Sequence, residues 1–196
     1  QLEHPQLTIS LFLTTFIIQI VNQSISPIVA LFVRELNHGA VGTTFWAGVV
    51  AAMPGIATML AAPRFGQLGD RIGTHRIMLI GFTLAFSFML PTGFVTAVWQ
   101  LAILRFMIGI SDATMLPAVQ TLLTKTTPTQ VTSRIFAYNQ SFQSLGSVAG
   151  PAMGTVVAMF FDYRGIFIAS ALLIVVNAGL FFYRTNSLKN DDSLNL

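Results

Sequence analysis

The chain contains 196 residues, of which 54% are hydrophobic and only 9% are charged. Because a soluble domain carries about 25% charged residues, this composition leaves too little polar surface to cover a core in water and predicts a membrane protein. The formal net charge of +3 comes from bases that lie between apolar runs, which favours membrane orientation over nucleic-acid binding. Since the chain has no cysteine, disulfides, thiolate metal sites and cysteine nucleophiles are excluded.

Six apolar segments are long enough to cross a bilayer, which takes about 20 residues of helix. The third and fourth are almost continuous, and Pro91, Gly93 and the interfacial Trp99 mark the turn between them. We expect a single membrane unit over 1–185 and a disordered polar tail over 186–196. The chain does not begin with Met, so we expect a piece of a longer protein. The segments run roughly over 7–33, 44–63, 76–97, 99–123, 133–158 and 164–184.

The basic residues that flank these segments fall unequally on the two sides of the membrane. Arg34 and Arg164 lie on one side, whereas seven bases lie on the side of the termini. Since cytoplasmic loops carry an excess of Lys and Arg, both termini are predicted to be cytoplasmic, in a multi-pass protein of the inner membrane. Three segments followed by three more predict an all-α membrane fold of six transmembrane helices, arranged as two inverted three-helix repeats. The seven bases are Arg64, Arg71, Arg76, Lys125, Arg134, Arg184 and Lys189.

The first segment carries a polar stripe along one helical face. Thr15, Gln19, Asn22 and Ser26 recur at spacings of four, three and four residues, and Gln23 lies beside them. In hydrocarbon such a stripe must face protein or water. It therefore either hydrogen-bonds a neighbouring helix or lines a water-filled cavity for substrate.

The fourth segment contains the two residues that are most costly to place in a membrane, Arg105 and Asp112. They are seven positions apart, so they share a helical face about 10 Å apart along the axis. A charge at mid-membrane costs a few kcal/mol unless it is paired, hydrated or neutralised. The residues either form a static ion pair or couple proton movement to a change in the exposure of the carboxyl group.

The fifth segment combines amides with a stripe of small residues. Small residues every four positions let helices approach closely, and Pro151 removes a backbone donor and kinks the helix. We interpret this segment as a hinge at a moving interface, with its amides facing the cavity. The third and sixth segments are apolar and rich in Phe, which leaves them free to face lipid all round. The stripe of the fifth segment consists of Asn139, Gln143, Gly146, Gly150 and Gly154.

A hydrophilic run between the second and third segments, 66–76, is predicted to be a loop outside the bilayer. Its order Gly-x-Leu-Gly-Asp-Arg-x-Gly resembles motif A of the major facilitator superfamily. Arg105 to Gly109 resembles motif B, and 146–154 resembles the proline-containing motif C of drug–proton antiporters. The chain is therefore identified as a member of this superfamily over nearly its whole length. The motif A positions are Gly66, Gly69, Asp70, Arg71, Gly73 and Arg76.

The resemblance implies a fold of twelve helices in two halves, of which this chain is one. Its stretches 11–19, 116–123 and 138–142 resemble the C-terminal half of the MdtG-type multidrug exporters. The resemblance implies export of small amphipathic drugs, driven by the proton gradient and without a bound cofactor. It also implies a motif A latch against an N-terminal half. Thr74 and His75 depart from the usual Arg-Lys pair, so the latch is expected to be weaker.

Two alternatives from other classes remain open. Instead of one half of an exporter, the chain could be a half-size transporter that works as a homodimer in the lipid bilayer, and the other alternative is a non-transporting membrane assembly subunit. An intramembrane enzyme is not expected, because His4, His38 and His75 lie outside the segments and only Asp112 supplies a mid-membrane carboxyl group. No metal site is predicted.

Overall fold

The computed structural model describes residues 5–189, and the secondary structure of this part of the chain is entirely helical. Each helix is long and apolar enough to cross a membrane. The predicted all-α membrane fold is therefore confirmed. The helices are α1 (Pro5–Leu36), α2 (Thr43–Ile72), α3 (Thr74–Thr92), α4 (Val98–Thr126) and α5 (Thr132–Lys189).

Helix α5 is broken at Asp162, whose backbone leaves the helical region at φ 59° and ψ 178°. Before the break, α5 runs parallel to α1, because Thr15 contacts Asn139 and Gln19 contacts Ser147. After the break it runs antiparallel, because Phe32 packs on Phe167 whereas Thr14 bonds to Asn177. The chain therefore reverses direction at Asp162. We call 132–161 the first arm of α5 and 163–189 the second arm.

The packing of the helices follows a repeated scheme. Helix α1 packs mainly on α5, and α4 packs mainly on α2 and α3. The pairing of α1 with the first arm thus has a counterpart in the pairing of α4 with α2. This is the relation expected between two three-helix repeats of opposite orientation.

The two ends of the bundle differ in how the chain turns. One end holds the break at Gly73 and the connection 127–131, and we call it the motif A end. The opposite end holds the connections 37–42 and 93–97 together with Asp162. This assignment places the motif A residues and the short turn between α4 and α5 on the same side of the protein.

The prediction of a loop over 66–76 is wrong for most of this range. Helix α2 continues to Ile72, and Gly73 alone separates it from α3, with φ 95° and ψ 139°. The amide of Gly73 donates to the carbonyl of Gly69 over 3.0 Å. Glycine adopts positive φ at no steric cost, so one residue makes the turn, while the exposed Asp70 and Arg71 keep their charges in water from within the helix.

Two further segments differ from the expectations. Helix α3 ends at Thr92, short of the predicted 97, because Gly93 caps it and Ala97 is extended. The tail predicted to be disordered begins as helix up to Lys189, and 190–196 lies outside the described residues. The third and sixth segments do not face lipid all round, because Phe82 and Phe181 are buried with ring centroids 6.0 Å apart.

The buried core lies between α1, α3, α4 and the second arm, whereas two other faces are largely uncovered. Helix α2 buries only Val50, Ala57 and Gly69 among its residues. Its opposite face and the outer face of the first arm expose large apolar side chains. These include Phe45, Ile56, Met59 and Leu60 on α2, and Leu145, Val148, Val156, Met159 and Phe160 on the first arm.

Candidate coupling and substrate site

Asp112 lies where α4 meets α1, near the centre of the bundle. Its side chain is partly buried, its hydrogen-bonding neighbour is Asn22 of α1, and Arg105 attracts it electrostatically along α4. Arg105 is only 7% exposed, and its Nε has no hydrogen-bond partner among the described residues. The structure thus places Asp112 next to Asn22 and within electrostatic reach of Arg105.

A small cavity adjoins Asp112 between α1, α3, α4 and the second arm of α5. Apolar side chains form most of its wall, and Asp112 and Asn177 are the two polar residues that line it. The charged form of a carboxyl group beside an apolar cavity is stabilised by its few polar neighbours, because little else there can solvate a charge. The apolar wall consists of Ile17, Ile18, Val21, Phe82, Ala85, Met89, Ile108, Met115 and Ile174.

Asn177 belongs to this site although the sequence analysis did not single it out. It is buried in the second arm, and the Thr14 hydroxyl donates to its Oδ1 over 3.2 Å. The available signal was its position as the one amide in the apolar run 164–184. A polar residue inside a membrane helix marks a helix contact or a functional position.

The glycine stripe of the fifth segment lies directly against α1, and we call this contact the glycine seam. A Cβ atom added at Gly146 would lie 2.7 Å from the carbonyl oxygen of Phe16, and one at Gly150 would lie 2.7 Å from Cβ of Gln23. A Cβ atom at Gly154 would likewise meet the backbone of Ser24. Only glycine therefore allows the two helices to approach this closely.

Two side-chain hydrogen bonds cross the same contact. The Thr15 hydroxyl donates to Oδ1 of Asn139 over 2.9 Å, and Nε2 of Gln19 donates to the Ser147 hydroxyl over 2.9 Å. Part of the predicted polar stripe thus joins α1 to the first arm. Of the two interpretations left open by the sequence, hydrogen bonding between helices describes Thr15, Gln19 and Asn139.

The other predicted cavity residues do not take part in these two hydrogen bonds. Asn22, Gln23 and Gln143 are partly buried, and Ser26 is exposed. The stripe therefore divides around α1: one part faces the first arm, and Asn22 faces Asp112. Among residues 5–189, no group of three His, Asp or Glu side chains is placed to hold a metal ion.

The predicted motif C hinge contains a proline that stays within regular helix. Pro151 lies inside the first arm, and the non-helical residue of α5 is Asp162. Thr155 stands where motif C usually has glycine, and its hydroxyl donates to the carbonyl of Pro151 over 2.8 Å. This bond lies within α5 and does not replace the missing amide hydrogen of Pro151, whose helical acceptor would be the carbonyl of Ser147.

The motif A residues gather around the turn at Gly73. Gly69 is buried and sits close to Ile77, since an added Cβ atom would lie 3.4 Å from its Cγ2. Gly66, Asp70, Arg71 and Arg76 are exposed. A small cleft lies between this region and α4, lined in part by Gly66, Gly69, Asp70, Thr114, Pro117 and Thr121.

Comparison with known proteins identifies the family of this chain. A family model described as Major Facilitator Superfamily matches residues 11–194. Similar curated proteins include Multidrug resistance protein MdtG of Salmonella heidelberg (strain SL476) and of Salmonella newport (strain SL254), each 44% identical over 188 residues, which cover 96% of this chain and 46% of the relative. A crystal structure of the peptide transporter POT, a mutant in complex with sulfate, superposes with a TM-score of 0.79 at 18% identity, over 90% of this chain and 37% of that one.

These matches agree with the architecture. The likeness to the peptide transporter shows the fold alone, whereas the family match covers nearly the whole chain. The chain spans about half the length of the curated relatives it matches, and the family and the relatives' names point to a multi-pass membrane transporter rather than an enzyme. The chain therefore belongs to the major facilitator superfamily and resembles its MdtG-type multidrug resistance proteins.

Proposed function

We propose that this chain is the C-terminal half of a secondary active transporter that exports small amphipathic drugs by proton antiport. The name of the 44% identical relatives, Multidrug resistance protein MdtG, supports the substrate class. The excess of bases around the motif A end supports an inner-membrane protein with both termini in the cytoplasm. The proton gradient supplies the energy, and no bound cofactor is needed.

The observation that carries the proposal is the position of Asp112 between two central helices. A charged carboxylate in this apolar surrounding is costly unless water or a cation reaches it. A movement of α1 against α4 changes the contact with Asn22 and the access of water, and therefore changes whether the carboxyl group holds a proton. Arg105 on the same helix limits the cost of the charged state.

The test is Asp112→Asn in the complete transporter, reconstituted into liposomes with an imposed pH gradient. We expect drug-driven proton movement to be lost while drug binding remains, since the amide keeps the shape but cannot exchange a proton. Glu35→Gln, which neutralises an exposed carboxylate in α1, is the matched control and should leave transport unchanged. Proton-coupled transport by Asp112→Asn with the pH response of the unaltered protein would overturn the proposal.

We propose that the partly buried amides near Asp112 contact the substrate, namely Asn22, Gln23 and Gln143. Ser26 lies at the exposed edge of α1, and Gln19 and Asn139 lie behind these residues at the seam. Amides and hydroxyls near aromatic rings suit broad recognition of amphipathic molecules. Gln143→Ala should raise the drug concentration needed for half-maximal transport several-fold without altering the pH response. Ser144→Ala, an exposed neighbour in the first arm, serves as the control, and equal behaviour of the two variants would contradict the assignment.

We further propose that the exposed Asp70 and Arg71 at the motif A end form a latch with the other half. Their charges lie at the end of α2, whose outer face is free to meet a partner. Asp70→Asn should slow turnover and leave drug binding intact, because it weakens one conformation of the transporter without touching the central site. Normal turnover in this variant would count against the latch.

We propose that the uncovered faces of α2 and the first arm pack in part against the N-terminal half of the same transporter, and otherwise against lipid. A second copy of this chain is the alternative, and because these 196 residues contain no cysteine, any thiol of this chain in a crosslink is an introduced one. Met59→Cys and Val148→Cys introduce thiols on these faces, where the native side chains are 70% and 77% exposed. Oxidation of the double variant in the complete transporter should leave a monomer, and a covalent dimer would favour the homodimer.

A further inference from the structure

The amide group of Asn177 is incompletely satisfied in the protein interior. Its side chain is 2% exposed, its Oδ1 accepts the hydrogen bond from Thr14, and its Nδ2 has no partner among the described residues. Turning the amide around would pair Nδ2 with Thr14 and leave Oδ1 without a partner instead. In either orientation one polar group of Asn177 is left over, and buried polar groups of this kind are normally satisfied by protein or by ordered water.

The cavity beside Asn177 has room for such a water. About 10 Å³ of it is open to the centre of a water molecule, which is close to the minimum of about 10–15 Å³ that one buried water requires. A buried water also needs polar partners, typically about three. Asn177 and Asp112 line the cavity together, so a water there can accept from the amide and donate to the carboxylate.

We propose that this cavity binds one water molecule between Asn177 and Asp112, and that Asn177 is a positioning residue for the carboxyl group. The water links the second arm of α5 to α4 through a polar contact that the side chains do not make directly. The site itself stands on packing and hydrogen bonding alone, whereas its part in coupling depends on the function proposed above for Asp112.

Few other groups act on the carboxyl group at this position. Arg105 is the charged side chain that attracts it, and Asn22 is its hydrogen-bonding neighbour. The residues that α3 contributes to the cavity, Phe82, Ala85 and Met89, are apolar. The proposed water therefore supplies solvation that no residue of α3 provides.

The test is hydroxyl-radical footprinting by X-ray radiolysis of the complete transporter, because water activated inside a protein oxidises the side chains that it touches. Met89 and Met115 line the cavity and are 1% and 2% exposed, whereas Met78 on α3 is 0% exposed and lies outside the cavity. We expect Met89 and Met115 to be oxidised at least several times faster than Met78. Equal, slow oxidation of all three would overturn the proposal without any variant.

A variant then assigns the water to Asn177. Asn177→Leu removes the carbonyl and the NH2 of the amide and keeps the branched shape of the side chain, and we expect oxidation of Met89 and Met115 to fall to the rate of Met78. Ser170→Ala is the matched control, because Ser170 is also buried in the second arm without a partner for its hydroxyl among the described residues, but does not line the cavity. Unchanged oxidation in Asn177→Leu, or an equal fall in Ser170→Ala, would contradict the role of Asn177.

Transport measurements separate this inference from the proposed function. If Asp112→Asn keeps proton coupling while Met89 and Met115 are still oxidised rapidly, the water site stands and the coupling role of Asp112 fails. If coupling depends on Asp112 but the cavity methionines are inert, the proposed function stands and the water site is rejected. In the expected case Asn177→Leu also shifts the pH dependence of transport, which Ser170→Ala does not.

Discussion

Thr14 and Thr15 are neighbours on α1, yet they bond to asparagines in two regions of different character. Thr15 bonds to Asn139 in the glycine seam, where the backbones nearly touch and Gln19 adds a second bond. Thr14 bonds to Asn177 beside a cavity, where the amide nitrogen of Asn177 has no partner among the described residues. Two side-chain hydrogen bonds thus join the helices at the seam, whereas a buried amide beside the cavity keeps one polar group without a partner among the described residues.

Of three substitutions that test this comparison, Gly150→Ala in the seam is expected to have the largest effect. The added Cβ atom would meet Cβ of Gln23 at 2.7 Å and the carbonyl oxygen of Ile20 at 2.9 Å, so the helices must separate. Overpacking of this kind costs about 1–3 kcal/mol. We therefore expect the free energy of unfolding to fall by this amount, and titration with SDS in mixed micelles measures it. The control is Gly179→Ala, at a glycine with nothing within 4 Å, and an equal loss there would contradict a close-packed seam.

A smaller effect is expected from Thr15→Val, which keeps the shape of the side chain but removes its bond to Asn139 and its contact with the carbonyl of Leu11 in its own helix. Hydrogen bonds between membrane helices contribute about 0.6 kcal/mol on average, so the same titration should detect a loss of this size. Thr83→Val removes a hydroxyl that bonds only to its own helix, at Leu79, and controls for the change in residue type. If the two variants lose the same stability, the bond across the seam contributes nothing.

The smallest effect is expected from Ser26→Ala. Ser26 belongs to the predicted polar stripe but is exposed, and surface substitutions usually change stability by less than about 0.5 kcal/mol. The unfolding titration should therefore match that of the unaltered protein, while drug transport reports whether this edge of α1 contacts substrate. A loss of stability comparable to that of Thr15→Val would show that the stripe is not divided as described.

The sequence predicts the helical fold well, because membrane helices satisfy their backbone internally and leave long apolar runs as their signature. It also indicates that Gly146, Gly150 and Gly154 share a close contact, since spacing alone places them on one face. The turn at Gly73 is not predictable in the same way. Polar residues suggest a loop, but a helix that extends out of the bilayer can contain exposed charged residues such as Asp70 and Arg71 just as a loop can.

The candidate site is only partly predictable for a different physical reason. Asp112 and Arg105 stand out because charge in a membrane segment is costly, whichever helix they face. The role of Asn177 depends on which helix packs against it, and one amide in a Phe-rich segment does not reveal that partner. The reversal at Asp162 falls between the predicted segments 133–158 and 164–184, so hydropathy indicates its place, but not that a single residue makes the turn.

The reversal at Asp162 also has a mechanical consequence. The connection between α1 and α2 spans 37–42, whereas the two arms of α5 meet at one non-helical residue. Because this connection is so short, we expect a shift of the first arm along the glycine seam to displace the second arm, and with it Asn177. We expect two glycines inserted after Asp162 to uncouple these movements, which spin labels on the two arms would detect as independent distance changes.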